Sequence, residues 1–145
     1  MNTRRLERLA ALRNRLRDQQ SVETSEALAR HVAGQERLHQ AQAAEQDFAA
    51  RELNALRSMT STAEVWSLDV QRGLHSAEVE RRDEEARALH EVTVQARAKL
   101  RTRTKDLKVV ERVLDKERVL RAKAEQDQER REVDDIVATR AKGDA

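Results

Sequence analysis

The chain has 145 residues, of which 38% are hydrophobic, but 22 of those are alanine and the aromatics amount to Phe48 and Trp66 with no tyrosine. A globular core of normal thickness is excluded, because large apolar and aromatic side chains supply most of the area that a core buries. With no proline, three glycines and 39% charged residues, the composition is that of long helices or a coiled coil, although disorder shares the high charge and low hydrophobicity, so periodicity has to decide. The absence of cysteine removes disulfides, thiolate metal sites and Cys nucleophiles. No stretch approaches the run of about 18 to 20 apolar residues of a membrane span, and Met1 to Leu6 lacks the apolar core of a signal peptide, so a soluble cytoplasmic protein is expected. The formal charge is +2, unevenly spread: residues 1–20 carry six Arg against two acids, residues 96–125 carry eleven Lys/Arg against five acids, and the remaining blocks are acidic.

The first predicted element is a helix over about residues 3–57. Leu6, Leu9, Leu12 and Leu16 form a broad apolar stripe, continued by Leu28, Val32, Leu38, Ala41, Phe48, Leu53 and Leu56 after a drift in register near Ala27 that resembles a coiled-coil stutter. Gly34 weakens this helix by about 1 kcal/mol relative to Ala, as Gly73 does the next. A loop is placed at about residues 58–61 within Ser58-Met59-Thr60-Ser61-Thr62-Ala63-Glu64, rich in hydroxyls and poor in charge. Ser61 and Glu64 have capping-box spacing, in which the hydroxyl accepts from the Glu64 N–H and the carboxylate reaches back to the Ser61 N–H. The same residues inside one continuous helix are the alternative.

A second helix is predicted over about residues 62–140, followed by a frayed tail at 141–145. A 3.5-residue repeat runs through it, with Val65, Arg72, Val79, Ala86, Thr93, Leu100, Leu107 and Leu114 in one set and Leu68, His75, Arg82, Leu89, Ala96, Arg103 and Val110 in the other. Most are apolar, which favours a coiled-coil seam over disorder. Val133, Ile136 and Val137 make a last short apolar patch. The expected fold is therefore all-α: two long helices in an antiparallel coiled-coil hairpin, one domain over 1–145. Residue i faces roughly residue 121 minus i, which sets the leucines of 6–16 beside the apolar stretch at 105–115. The second helix overhangs beyond about residue 120, by about 30 Å to Arg140. The two basic blocks meet at the open end, and the acidic ones gather toward the loop.

Chemistry is hard to place on this scaffold. His31, His39, His75 and His90 include no i, i+4 pair, and no HExxH motif, phosphate loop, GxGxxG or Ser elbow is present, so no catalytic residue, metal or cofactor is expected. Carboxylate runs such as Asp83-Glu84-Glu85 have no concave pocket to desolvate them. Function is assigned to surfaces and not to catalysis. For the basic end, a solvated helix face ranks first, docking into an acidic protein cavity second, and nucleic acid third, since no aromatics or groove-fitting motif accompany the cations. Trp66 either covers the end of the hairpin or forms a small docking stripe with Val70 and Leu74.

The C-terminal run, in which Glu111-Arg112, Glu117-Arg118, Glu125-Gln126 and Arg130-Arg131 precede Val133-Asp134-Asp135-Ile136-Val137-Ala138-Thr139-Arg140, resembles the ending of a known family. These are the small stalk proteins of bacterial flagellar and virulence type III export ATPases, the FliJ/YscO/HrpO-like group. The tryptophan near the start of the second helix is similar to that family too, although its members often follow it with further aromatics where this chain reads Gln71-Arg72-Gly73. The resemblance implies a stalk like the rotor shaft of rotary ATPases, with both termini in the central hole of a hexameric export ATPase, promoting its assembly or activity. The ATPase contacts implied are Arg4, Arg5, Arg8, Leu9 and Arg13 on the first helix. On the second they are Arg130, Arg131, Asp134, Asp135, Ile136 and Arg140. It further implies that Trp66, Val70 and Leu74 touch the cytoplasmic domain of the membrane export gate, that secretion chaperones are handled by some members, and that the protein works at the bacterial inner membrane without entering it. Two other classes stand beside it: a generic structural coiled coil, for instance a parallel homodimer, and a nucleic-acid-associated rod.

Overall fold

The computed structural model describes residues 2–144. It contains two helices, α1 (Thr3–Leu56) and α2 (Thr62–Gly143), packed against each other as an all-α antiparallel coiled-coil hairpin in which α2 is the longer. Asn2 caps α1: its carbonyl accepts from the amides of Arg5 and Leu6 and its side-chain oxygen from the Arg4 N–H. At the start of α2, the Ser61 hydroxyl accepts from the Glu64 N–H at 3.3 Å. The Glu64 carboxylate reaches back one residue further than the sequence suggested, to the Thr60 N–H at 3.4 Å. At the end of α1 the Ser58 N–H and hydroxyl both donate to the Ala55 carbonyl, so with α2 capped anew the helix is broken at residues 57–61, not continuous. At the other end α2 runs to Gly143, beyond the Arg140 anticipated from sequence. Arg140 and Lys142 complement the negative end of its dipole, and the Asp144 N–H closes a turn on the Arg140 carbonyl. Of the tail anticipated at 141–145, Ala145 lies outside the described residues.

The chain divides into two compact units. The unit of residues 20–100 contains the loop. Its helices meet through the Thr24 hydroxyl and the Gln20 amide, which both donate to the Ala96 carbonyl, and through the Thr93 hydroxyl, which donates to the carbonyls of Leu89 and Ala27. Toward the loop, Arg37 pairs with Glu85 at 2.7 Å, the Phe48 ring lies 4.9 Å from that of His75, and the Arg72 guanidinium forks onto the largely buried Glu52 carboxylate. In the unit of residues 2–19 and 101–144, Arg13 pairs with Asp106 at 3.5 Å and Arg118 with Glu7 at 3.4 Å. In each pair that joins α1 to α2 the two residue numbers sum to within five of 121, so each helix segment meets the partner that the hairpin register assigns to it.

The α2 seam follows the 3.5-residue repeat. From Leu68 to Val110 every position of the repeat except Arg72 is buried or half-buried, as is Leu114. Thr93 is 2% and Leu107 3% exposed. The α1 seam coincides with the leucine stripe only in part: Leu6, Leu16, Leu38, Ala41 and Phe48 are buried or half-buried. Its buried and half-buried positions include Thr3, Leu6, Ala10, Arg13, Arg17, Gln20, Thr24, Ala27, His31, Gly34, Leu38, Ala41, Glu45, Phe48, Glu52 and Ala55, alternating by three and four residues without a break, with Leu16, Arg37 and Ala44 half-buried beside them. The stutter anticipated near Ala27 is therefore absent. What looked like a drift is the exchange of one apolar face for another: Leu9, Leu12, Leu28, Val32, Leu53 and Leu56 are exposed, and the seam itself mixes Leu6, Leu38 and Phe48 with small and polar side chains. Close helix approach favours such residues, because the threonine hydroxyls can satisfy themselves on backbone carbonyls.

Candidate docking surfaces

Around the seam of the loop-bearing unit, the charges form a ladder. Arg82 donates to Glu78 and Glu85, Glu85 also accepts from Arg37, and Glu78 from Arg81. Hydrogen bonds from Arg81 and Arg82 hold the Glu78 carboxyl below its ordinary value, those from Arg82 and Arg37 do the same for Glu85, and Arg82 is raised in return by Glu85 and Glu78. The Arg72 guanidinium is raised first by its hydrogen bonds to Glu52. Apart from the Glu52 carboxylate, the paired side chains keep contact with solvent. The imidazoles of His31 and His90 lie 5.2 Å apart across the same seam, a pairing that no spacing along one helix reveals. Among the described residues no group of three or more His, Cys, Asp or Glu is placed to hold a metal ion.

The residues assigned from sequence to an ATPase contact all belong to the unit of residues 2–19 and 101–144. Arg4, Arg5 and Arg8 are exposed at the start of α1, Leu9 projects beside the seam, and Arg13 is half-buried on Asp106. Arg130, Arg131, Asp134, Asp135, Ile136 and Arg140 are exposed on α2. The two sets share a unit but do not touch: the start of α1 lies opposite residues near 118, which leaves Arg130 about 18 Å further along the helix. Beyond Glu117 every described residue of α2 is exposed. This extension has lost its seam chemistry. Counting on from Leu114 in the same repeat gives Arg121, Ala124, Gln128, Arg131, Asp135 and Ala138, which offer no apolar ridge, while Val133, Ile136 and Val137 fall between those positions on another face.

In the loop-bearing unit, Trp66 is 70% exposed and Leu74 66%, with Val70 between them. The tryptophan therefore does not cover the hairpin end. One turn apart on the outer face of α2, the three side chains form a continuous apolar stripe. A further surface was not anticipated. Leu9, Leu12 and Leu16 of α1 and Val109 and Val113 of α2 occupy the flank of their unit opposite the Glu7–Arg118 pair. The signal for it was present in the leucine stripe, which marks a second apolar face beside the true seam.

Comparison with protein-family models, with curated proteins and with solved structures returns no match. Among the described residues no helix is long and apolar enough to cross a membrane.

Proposed function

We propose that this chain is a central-stalk component of a bacterial type III protein export apparatus, inserting its termini into a hexameric export ATPase and linking it to the export gate. The observation that carries this reading is the α2 extension beyond Glu117: an intact helix running to Gly143, exposed at every described residue, with Val133, Ile136 and Val137 open to solvent. A helix of that length gains little stability from propensity alone, so exposed apolar side chains at helical spacing fit a surface completed by another molecule. Arg4, Arg5, Arg8, Leu9 and Arg13, beside the basic block of α2, supply the positive potential that guides entry into an acidic cavity. Arg130, Arg131, Asp134, Asp135, Ile136 and Arg140 supply the contacts of the extension. Trp66, Val70 and Leu74 are the gate-facing stripe, with tryptophan as its anchor. Secretion chaperones are further partners under this reading, and the site of action is the cytoplasmic face of the inner membrane.

Co-purification tests it. The full chain is expected to be retained by the cognate hexameric ATPase, and Trp66→Ala to leave that retention intact while weakening capture of the gate's cytoplasmic domain at least tenfold. No retention of the full chain by the ATPase would overturn the stalk reading.

A further inference from the structure

The unit of residues 2–19 and 101–144 carries two unpartnered apolar surfaces, and they are complementary. One is the flank of the exposed Leu9, Leu12 and Val109, bordered by the half-buried Leu16 and Val113 and set in the most basic part of the chain: residues 3–19 hold six Arg against Glu7 and Asp18, and residues 101–118 hold seven Lys/Arg against four acids. The other is the patch of Val133, Ile136 and Val137 on the extension, where residues 125–135 hold six acids against Arg130 and Arg131. The first is the apolar side of a helix pair that lacks a third helix. The second is one helix that lacks a groove.

Within a single chain the two cannot meet, because α2 is continuous from Thr62 to Gly143 and carries the patch away from the flank. Between two chains they can. A two-fold axis crossing α2 near residue 122 sets Ile136 of one copy beside Val109 of the other, and Val109 of the first beside Ile136 of the second, so both contacts form at once. The same axis brings Val119 and Leu120, both exposed, to the Glu125–Gln126 turn of the opposing α2. A reciprocal arrangement of this kind closes on itself and does not propagate into a filament. The acidic extension then lies on the basic flank in both halves, which fixes direction as well as attraction.

We infer that two copies of the chain associate reciprocally, each laying the Val133–Ile136–Val137 patch of its α2 extension on the Leu9–Leu12–Val109 flank of the other. This goes beyond the stalk reading and does not depend on it, since no ATPase takes part.

The chain has no cysteine, which makes cross-linking decisive. Two single-cysteine chains, Val109→Cys and Ile136→Cys, are mixed and oxidised. A mixed 109–136 disulfide is expected to dominate, with 109–109 and 136–136 products minor. Sedimentation equilibrium of the unmodified chain is expected to show a dimer, weakened at least tenfold by Ile136→Asp with Val137→Asp, and equally by Leu12→Asp, while Leu74→Asp on the outer face near the loop leaves it unchanged. Circular dichroism reports whether each variant keeps its helix, and the extension residues can be changed without touching the hairpin seam. A monomer at every concentration, a dimer indifferent to both substitutions, or cross-linking dominated by like pairs would each overturn the inference.

Discussion

A methyl group added at Gly34 would lie 2.6 Å from Leu89 Cδ1, whereas one added at Gly73 meets nothing within 4 Å. Both glycines sit in regular helix without positive φ, so neither is required by backbone conformation. Gly34 is a seam residue that lets the helices of the loop-bearing unit approach beside Ala86 and Leu89, and Gly73 is an exposed gap. Gly73→Ala is therefore expected to raise the stability of the folded chain by about 0.5–1 kcal/mol, the ordinary gain from helix propensity. Gly34→Ala is expected to forfeit that gain, because Leu89 must leave its rotamer at a cost of about 0.5–1.5 kcal/mol. Urea denaturation of the two variants checks this, and an equal rise in both would count against close packing at Gly34. The contrast also shows what is hidden at this scale: the sequence presents two lone helical glycines that look alike, and only the partner helix distinguishes them. Trp66 is the converse case, since the stripe it forms with Val70 and Leu74 is visible from i, i+4, i+8 spacing alone.

Each helix reveals its seam to a different degree, for a physical reason. In α2 the seam positions are mostly Leu, Val and Ala, so apolar periodicity and burial coincide. In α1 the contact face is Thr3, Gln20, Thr24, Ala27, Gly34 and Glu52 interspersed with larger residues such as Leu6, Leu38 and Phe48, while Leu9, Leu12, Leu28, Leu53 and Leu56 lie outside it. Hydrophobicity thus identifies the hairpin and its register but misplaces the buried face of α1. The polar seam is stabilised by ions as well. In the Arg37–Glu85–Arg82–Glu78 ladder, the two carboxyls bind protons less readily in the folded chain than in the unfolded one, whose value is near 4.5. Their contribution to stability is complete above that value and is lost as the pH falls through their lowered folded values. A denaturation midpoint measured as a function of pH is expected to drop through this acid range. Glu78→Gln with Glu85→Gln should flatten the drop while lowering the plateau at neutral pH, and an unchanged acid limb in that variant would contradict the assignment.

For the molecule as a whole, the hairpin and the free α2 extension divide the work. The hairpin consumes its own seam, and the extension, with its seam positions occupied by Arg121, Gln128, Arg131 and Asp135, does not compete for it. A second copy and an ATPase ring would draw on the same extension, so ring engagement is expected to dissolve the reciprocal dimer. The extension was legible from the lengths of the two predicted helices, as was the separation of basic and acidic blocks. The apolar flank beside Leu12 and Val109 was not, because a stripe of leucines is ordinarily taken as the seam. The most direct measurement of the stalk proposal is the hydrolysis rate of the cognate export ATPase titrated with the full chain and with a chain lacking residues 126–145. The full chain is expected to stimulate hydrolysis and the shortened chain, still folded as a hairpin, to leave the ATPase at its basal rate. Undiminished stimulation by the shortened chain would contradict the role assigned to the extension.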